Sequence, residues 1–227
     1  MAEAHVAIAG SISVLDAAGA LWLPESRTLV VSDLHLEKAS SFARKGMFLP
    51  PYDTRATLAL LAELVARRNP ARIVSLGDSF HDCGGYGRLA DADRTQLEAL
   101  RRGREWIWVT GNHDHTLPSG IGGDVTAELA LGGLAFRHDP APHLRMSEIA
   151  GHLHPAAKVR GRGRSMRCRA FATDGRRLVL PSFGVLTGGL NVLDRAFAPL
   201  FAAGSMRAFL IGAGRIFPVA VSALAPD

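Results

Sequence analysis

The chain has 227 residues, 48% hydrophobic and 21% charged, with a net charge of +5 and two cysteines. That length and balance allow one large globular domain, taken here as 1–227, and exclude a disordered chain or a disulfide-stapled secreted module. No apolar run reaches membrane-spanning length, and Met1 to Gly10 lacks the basic flank of a signal peptide, so a cytoplasmic protein with no membrane contact is expected.

Residues 12–15 and 20–23 are short apolar runs around Asp16-Ala17-Ala18-Gly19, which predicts a hairpin. Thr28 to Ser32 reads as a buried strand. Residues 52–68 place leucines at 58, 61 and 64 with charges opposite, a helical period, with Asp53 or Thr54 as cap and Asn69-Pro70 as stop. Arg72 to Leu76 is a second buried strand, Asp91 to Arg102 a helix, and Glu105 to Thr110 a third strand. Strand, helix, strand, helix, strand predicts a parallel sheet with helices packed on it. From about residue 127 short strands follow one another, at 127–131, 133–137, 147–151, 156–160, 166–172, 176–180, 207–211 and 215–220. They predict a largely antiparallel second sheet. Residues 188–206 mix glycine and apolar residues and could be core or a subunit contact.

Polar motifs fall just past the strands: Asp33-Leu34-His35, Gly77-Asp78, Gly111-Asn112-His113-Asp114, His138 after Leu134-Ala135-Phe136, and Gly151-His152-Leu153-His154. Sites in open α/β sheets collect at that edge, because several loops converge there. Carboxylate, imidazole and carboxamide without thiolate suit two hard-to-borderline divalent cations. Residues i and i+2 of an extended segment point the same way, so Asp33 with His35, and His152 with His154, can each serve a common centre. Asp78 has two oxygens with which to bridge two cations. Asn112 offers its carbonyl oxygen to the second, and His113 points elsewhere. Cys83 reads as a plain small side chain.

The ordered set resembles the calcineurin-like metallophosphoesterases, whose pattern is DxH, GDxx(D/H), GNHD, a single His and GHxH. The resemblance implies an α/β fold, a four-layer metallophosphoesterase sandwich in which two mixed β-sheets pack face to face with helices outside. It also implies that Asp33, His35, Asp78 and His154 hold one metal and Asp78, Asn112, His138 and His152 the other, while His113 contacts the scissile phosphate. Three residues after Asp78 stands His81, followed by Asp82, where many phosphatases of the superfamily carry Asp and Arg. His81 is similar to the nuclease branch. What orients His113 is left open: His81 beside it on the phosphate, or Asp114 steadying a ligand from behind.

Leu21-Trp22-Leu23-Pro24, Asp33 to Gly46, Gly77 to His81, Gly151 to Pro155, Arg160 to Arg164 and Leu180 to Gly189 resemble the ligase-associated DNA-damage-response endonucleases of bacteria. Glu37 stands where that group is expected to carry glycine. The resemblance implies a metal-dependent phosphodiesterase or endonuclease that hydrolyses DNA by hydroxide attack between two metals, in DNA repair, with a functional link to a DNA ligase and a helicase. Mn²⁺ is the expected metal, with Fe²⁺ or Zn²⁺ as alternatives. The other readings are a phosphodiesterase or pyrophosphatase for small nucleotides and a non-catalytic protein-binding scaffold.

Lys158, Arg160, Arg162, Arg164, Arg167 and Arg169 form a run of cations with no anion among them. The run is either a solvated loop or a contact to phosphates, and Arg160, Arg162 and Arg164 are the candidate substrate-binding residues. Lys38, Arg44 and Lys45 could hold flanking phosphates or form an exposed helix face. No reader of base identity is evident, so little sequence specificity is expected.

Overall fold

A computed structural model of the chain describes residues 3–161 and 163–227. The first sheet holds β1 (Glu3–Ile8), β2 (Ser11–Asp16), β3 (Leu21–Leu23), β4 (Thr28–Ser32), β5 (Arg72–Leu76), β6 (Glu105–Val109) and β7 (Asp124–Thr126), side by side in chain order. β1 to β4 pair antiparallel and β4 to β7 parallel. The parallel strands are joined by α1 (Lys38–Ala43) and α2 (Asp53–Arg68), then by α3 (Gly85–Arg88) and α4 (Asp91–Arg101).

Alternation along these strands sorts the side chains into two layers. Leu29, Val31, Ile73, Trp106 and Trp108 pack under Leu58, Leu61 and Leu64 of α2 and Leu97 and Leu100 of α4. Val30, Val74, Leu76, Ile107 and Val109 face the other way, onto the second sheet. The expected caps of α2 are employed elsewhere. Its N-cap is Tyr52, with no side-chain cap. Asp53 accepts the Ala39 N–H, and the Thr54 hydroxyl bonds to Glu37. Both fasten the loop after β4 to the helix.

The chain crosses to the second sheet at Ala127. There follow β8 (Glu128–Leu131), β9 (Leu134–Arg137), β10 (Ser147–Ala150), β11 (Pro155–Gly161), β12 (Arg164–Thr173), β13 (Arg177–Val179), β14 (Leu190–Asn191), β15 (Arg207–Gly212), β16 (Arg215–Ala220) and β17 (Leu224–Ala225). The order is β14-β11-β12-β13-β10-β9-β8, with β15 on β12, β16 on β15 and β17 on β11. Antiparallel pairs prevail, as expected, but β9, β10 and β13 run parallel. His138 and His152 therefore leave parallel strand ends, just as Asp33, Asp78 and Asn112 do from the first sheet.

Phe136, Ile149, Phe171, Leu178 and Phe209 fill the space between the sheets. The outer face of the second sheet is small-residue (Ala157, Ala170, Ala172, Ala208) and is covered by Val192 and Phe197. Those two belong to a run of turns, so this fourth layer is irregular where a helix is expected. Burial of Val192 and Phe197 also settles that part of 188–206 as core. No described helix is long and apolar enough to cross a membrane.

Candidate dinuclear metal centre

Five loops bring the polar motifs together between the C-terminal strand ends of both sheets. Asp33, His35, Asp78, His152 and His154 all adopt positive φ, between 44° and 68°. This corrects the extended geometry expected for Asp33-Leu34-His35: the i and i+2 side chains converge through alternating left-handed turns. Such backbone costs energy for non-glycine residues and persists where packing and hydrogen bonds impose it. The packing is tight: a Cβ on Gly111 would collide with Asp78 Oδ1, and one on Gly151 would collide with Ser32 Oγ.

Asp33 is fully buried. Its Oδ2 accepts the Ser32 hydroxyl at 2.5 Å and the His152 N–H at 3.0 Å. Among the described residues no hydrogen-bond donor reaches Oδ1, which lies 3.1 Å from His154 Nε2 without hydrogen-bond alignment. His154 Nε2 is in turn 3.3 Å from His35 Nε2. Asp33, His35 and His154 thus aim one ligand atom each at a common point. Burial would raise the Asp33 pKa, but His154, His138 and Ser32 together hold it below the usual range. Burial, with His154 and His113 nearby, pushes His35 down to about 3, which keeps its ring neutral and able to donate a lone pair.

Asp78 divides its two oxygens. Oδ1 accepts the His113 N–H at 2.9 Å. Oδ2 lies 3.9 Å from His35 Nε2 and 3.4 Å from His138 Nε2, so it faces both groups. Oδ2 is the oxygen presented to both clusters, so the bridging expected of Asp78 would fall to that one atom. Burial would raise the Asp78 carboxyl, yet His138 and the His113 N–H bring it to about 2.

Asp78, His138 and His152 form the second convergent group. His138 Nδ1 donates to the Leu76 carbonyl at 3.0 Å, which fixes the tautomer and presents Nε2. That Nε2 lies 3.0 Å from Asn112 Oδ1 and 3.1 Å from His152 Nδ1. Burial alone would lower the His138 pKa, but Asp78 and Asp33 raise it to about 9, so the same carboxylates favour a positive charge at Nε2, a proton that a cation would displace. An orphaned buried carboxylate oxygen and imidazole nitrogens about a hydrogen-bond length apart but aimed at shared points suit cations better than any protein partner. The donor set, oxygen and nitrogen only, fits two divalent ions.

His113 stands at the mouth. Its Nδ1 donates to the His81 carbonyl at 2.8 Å, so Nε2 is turned toward Asp78 Oδ2, 4.0 Å away. The backbone of His81 therefore orients His113. The His81 ring stacks on it at 4.7 Å and reaches His35 Nδ1 at 3.3 Å. Burial, with His113 and Lys38 close by, lowers His81 to about 4. Asp114 is buried behind the loops. Its carboxylate accepts the N–H groups of Asp78, Gly111 and Phe80 at 2.9–3.1 Å, tying the loop after β5 to the loop after β6.

A family model described as calcineurin-like phosphoesterase matches residues 26–178. The chain belongs to that family. Among solved structures it is similar to Pseudomonas putida nuclease MPE, at 30% identity and a TM-score of 0.73, over 96% of this chain and 100% of that one. It also matches Yfce, a phosphoesterase from E. coli, at 17% identity and a TM-score of 0.41, over 86% of this chain and 98% of that one; a likeness so remote adds nothing to the argument. No curated protein sequence matches.

In this calcineurin-like phosphoesterase the expected ligands all meet at the centre, together with His113 and His81. The candidate substrate cations do not. Arg160 and Arg164 are exposed at the tip of the β11–β12 hairpin, and Arg162 lies outside the described residues. At about 3.3 Å per residue, Arg160 sits roughly 20 Å along β11 from His154. Arg167 pairs with Asp227, and Arg169 bonds to the Ser182 carbonyl. The basic residues at the centre are Arg44 and Lys45, which line a cleft of about 500 Å³ with Ser41, His81, Asp82, Asn112 and His113.

Sequence reasoning missed the supports of the site. Ser32 is a buried hydroxyl that follows the apolar Leu29 to Val31 and directly precedes Asp33, a signal that was there to read. The Arg88 guanidinium holds Asp82 through two 2.8 Å bonds and keeps its carboxyl well below the usual range. Nothing local in the sequence announces that pair.

Proposed function

We propose that the chain is a metal-dependent phosphodiesterase that cleaves DNA internally and serves DNA repair. The observation that carries the reading is the pair of convergent groups, Asp33 with His35 and His154 and Asp78 with His138 and His152, between which Asp78 Oδ2 lies 3.9 Å from His35 Nε2 and 3.4 Å from His138 Nε2, with His113 Nε2 held beside it and two cations, Arg44 and Lys45, on the same cleft. Likeness to a protein described as a nuclease supports the nucleic-acid substrate.

Asp33, His35, Asp78 and His154 would hold one divalent ion and Asp78, Asn112, His138 and His152 the other, with Mn²⁺ as the proposed metal. Such ions supply Lewis acidity toward a phosphoryl oxygen and ease deprotonation of a water. The protein does the rest. His113, with its Nδ1–H committed to the His81 carbonyl, offers Nε2 to the phosphoryl or departing oxygen. Arg44 and Lys45 neutralise flanking phosphates. Asp114 holds the loops of Asp78 and Asn112 in register.

The test is cleavage of circular single-stranded and duplex DNA by the Mn²⁺-loaded protein, with metal content measured in parallel. Circles have no ends, so their conversion to linear products demonstrates internal cutting. Nucleic-acid binding that weakens steeply with salt supports the reading, through counterion release. Turnover of small nucleotides alone, insensitive to salt, would replace it with the small-nucleotide alternative.

A further inference from the structure

The loop that leaves α1 exposes an unusual amount of aromatic and apolar surface. Phe48 is 87% exposed, Tyr52 68% and Met47 48%. Large apolar side chains that a fold leaves bare together mark a contact surface. The loop is held at both ends. Lys45, Gly46 and Met47 donate their N–H groups back to α1 carbonyls, and at the far end Asp53 and Thr54 bond to the segment after β4. It starts at the metal cleft, because Arg44 and Lys45 line that cleft. The rings of His113, His81 and Phe42 succeed one another outward, with centroids 4.7 Å and then 5.4 Å apart, and Lys38 and Lys45 both lie about 6 Å from Phe42.

Bare aromatic rings beside cations and a phosphate-cleaving centre match one ligand chemistry: a nucleotide chain whose phosphates meet Arg44 and Lys45 and whose unpaired base stacks on a ring. We propose that residues 47–52 form a stacking lip, with Phe48 its principal platform, that seats a base next to the scissile phosphate. The inference rests on the nucleic-acid reading above. A protein partner on the same loop would have no need of the adjacent cationic cleft, which is why the nucleic acid is favoured.

The experiment uses the full chain and three probes: a single-stranded DNA oligonucleotide, the same strand with abasic sites, and bis-4-nitrophenyl phosphate. Binding is read by fluorescence anisotropy in EDTA and turnover with Mn²⁺. Phe48→Ala should weaken oligonucleotide binding and raise its KM by about tenfold, a typical effect of removing one stacked ring. Binding of the abasic strand should not change. Phe48→Tyr should restore the oligonucleotide values. Unchanged oligonucleotide binding in Phe48→Ala overturns the lip and leaves the loop to a protein partner. An equal loss on the abasic strand overturns stacking as the cause. Wild-type protein that hydrolyses bis-4-nitrophenyl phosphate yet neither binds nor cuts the oligonucleotide overturns the nucleic-acid reading and the lip together.

Discussion

The floor of the cleft and its basic rim are built on opposite principles. On the floor every group is spoken for: Asp33 Oδ2 by Ser32 and His152, Asp78 Oδ1 by His113, and His138 Nδ1 by Leu76. What is left over, Asp33 Oδ1, Asp78 Oδ2 and the facing imidazole nitrogens, points inward. The rim is exposed charge with few fixed partners. It has two parts, Arg44 and Lys45 at the cleft and Arg160 and Arg164 at the hairpin tip. A group on the floor acts through one geometry, and its loss should be all or nothing. A group on the rim adds to a long-range field and should act in increments.

The floor gives the largest effects. Asp78→Asn removes the charge that serves both ligand groups, so metal content per chain should fall below two and hydrolysis should drop to background. Elemental analysis after gel filtration reads the first and turnover of bis-4-nitrophenyl phosphate the second. Full metal content in the variant would show that Asp78 Oδ2 is not shared. His113→Ala comes next. It leaves every ligand in place, so metal content should stay while kcat falls by ~10²–10⁴, the usual size of a missing general acid or charge-stabilising donor. A normal rate would take His113 out of the chemistry and put the whole burden on the metal-facing groups.

Much of the floor was legible in the sequence because its chemistry is local. The ligands sit in the short stretches just past strands whose apolar residues announce them, and Asp33, Asp78 and Asn112 inherit their positions from β4, β5 and β6 running in parallel register. The parallel trio β9, β10 and β13 was harder. Short strands joined by short links read as antiparallel, and only the pairing across Asp139 to Met146 and over β11 and β12 makes them parallel. The His81 carbonyl that turns His113 was illegible, since every residue carries a carbonyl and only the fold selects one. The rim was legible only in part. Charge density pointed to Arg160, Arg162 and Arg164; Arg160 and Arg164 stand at the end of a strand that runs outward from His154, so a contact there needs a substrate that reaches beyond the cleft. Arg44 and Lys45, a weaker signal in sequence, are the ones brought to the cleft, by the short helix α1 and the bonds of Glu37, Asp53 and Thr54 behind it.

Within the rim the two parts should separate. Arg44→Ser with Lys45→Ser should raise KM for DNA by roughly tenfold or more, as expected when charge-assisted hydrogen bonds of ~1.5 kcal/mol or above are removed. The same variant should cost far less on bis-4-nitrophenyl phosphate, which has no flanking phosphates. An equal loss on both substrates would mean that the pair acts on the reacting phosphate itself, and so belongs to the floor.

The smallest effect belongs to the hairpin. Arg160→Ser with Arg164→Ser removes two exposed cations about 20 Å along β11 from His154. Hydrolysis of bis-4-nitrophenyl phosphate should be unchanged, since neither residue lines the cleft. If a bound strand runs far enough to meet the tip, log K against log salt should flatten by about 0.7 for each phosphate of a single strand that is no longer neutralised, or about 0.9 on duplex. Affinity for a strand too short to span that distance should not move. The length at which the slope begins to differ from wild type then measures how far the substrate travels from the metal centre toward the hairpin. A tip variant that slows the small ester, or that weakens short and long strands alike, would place Arg160 or Arg164 at the cleft in solution and erase the division between near and far rim.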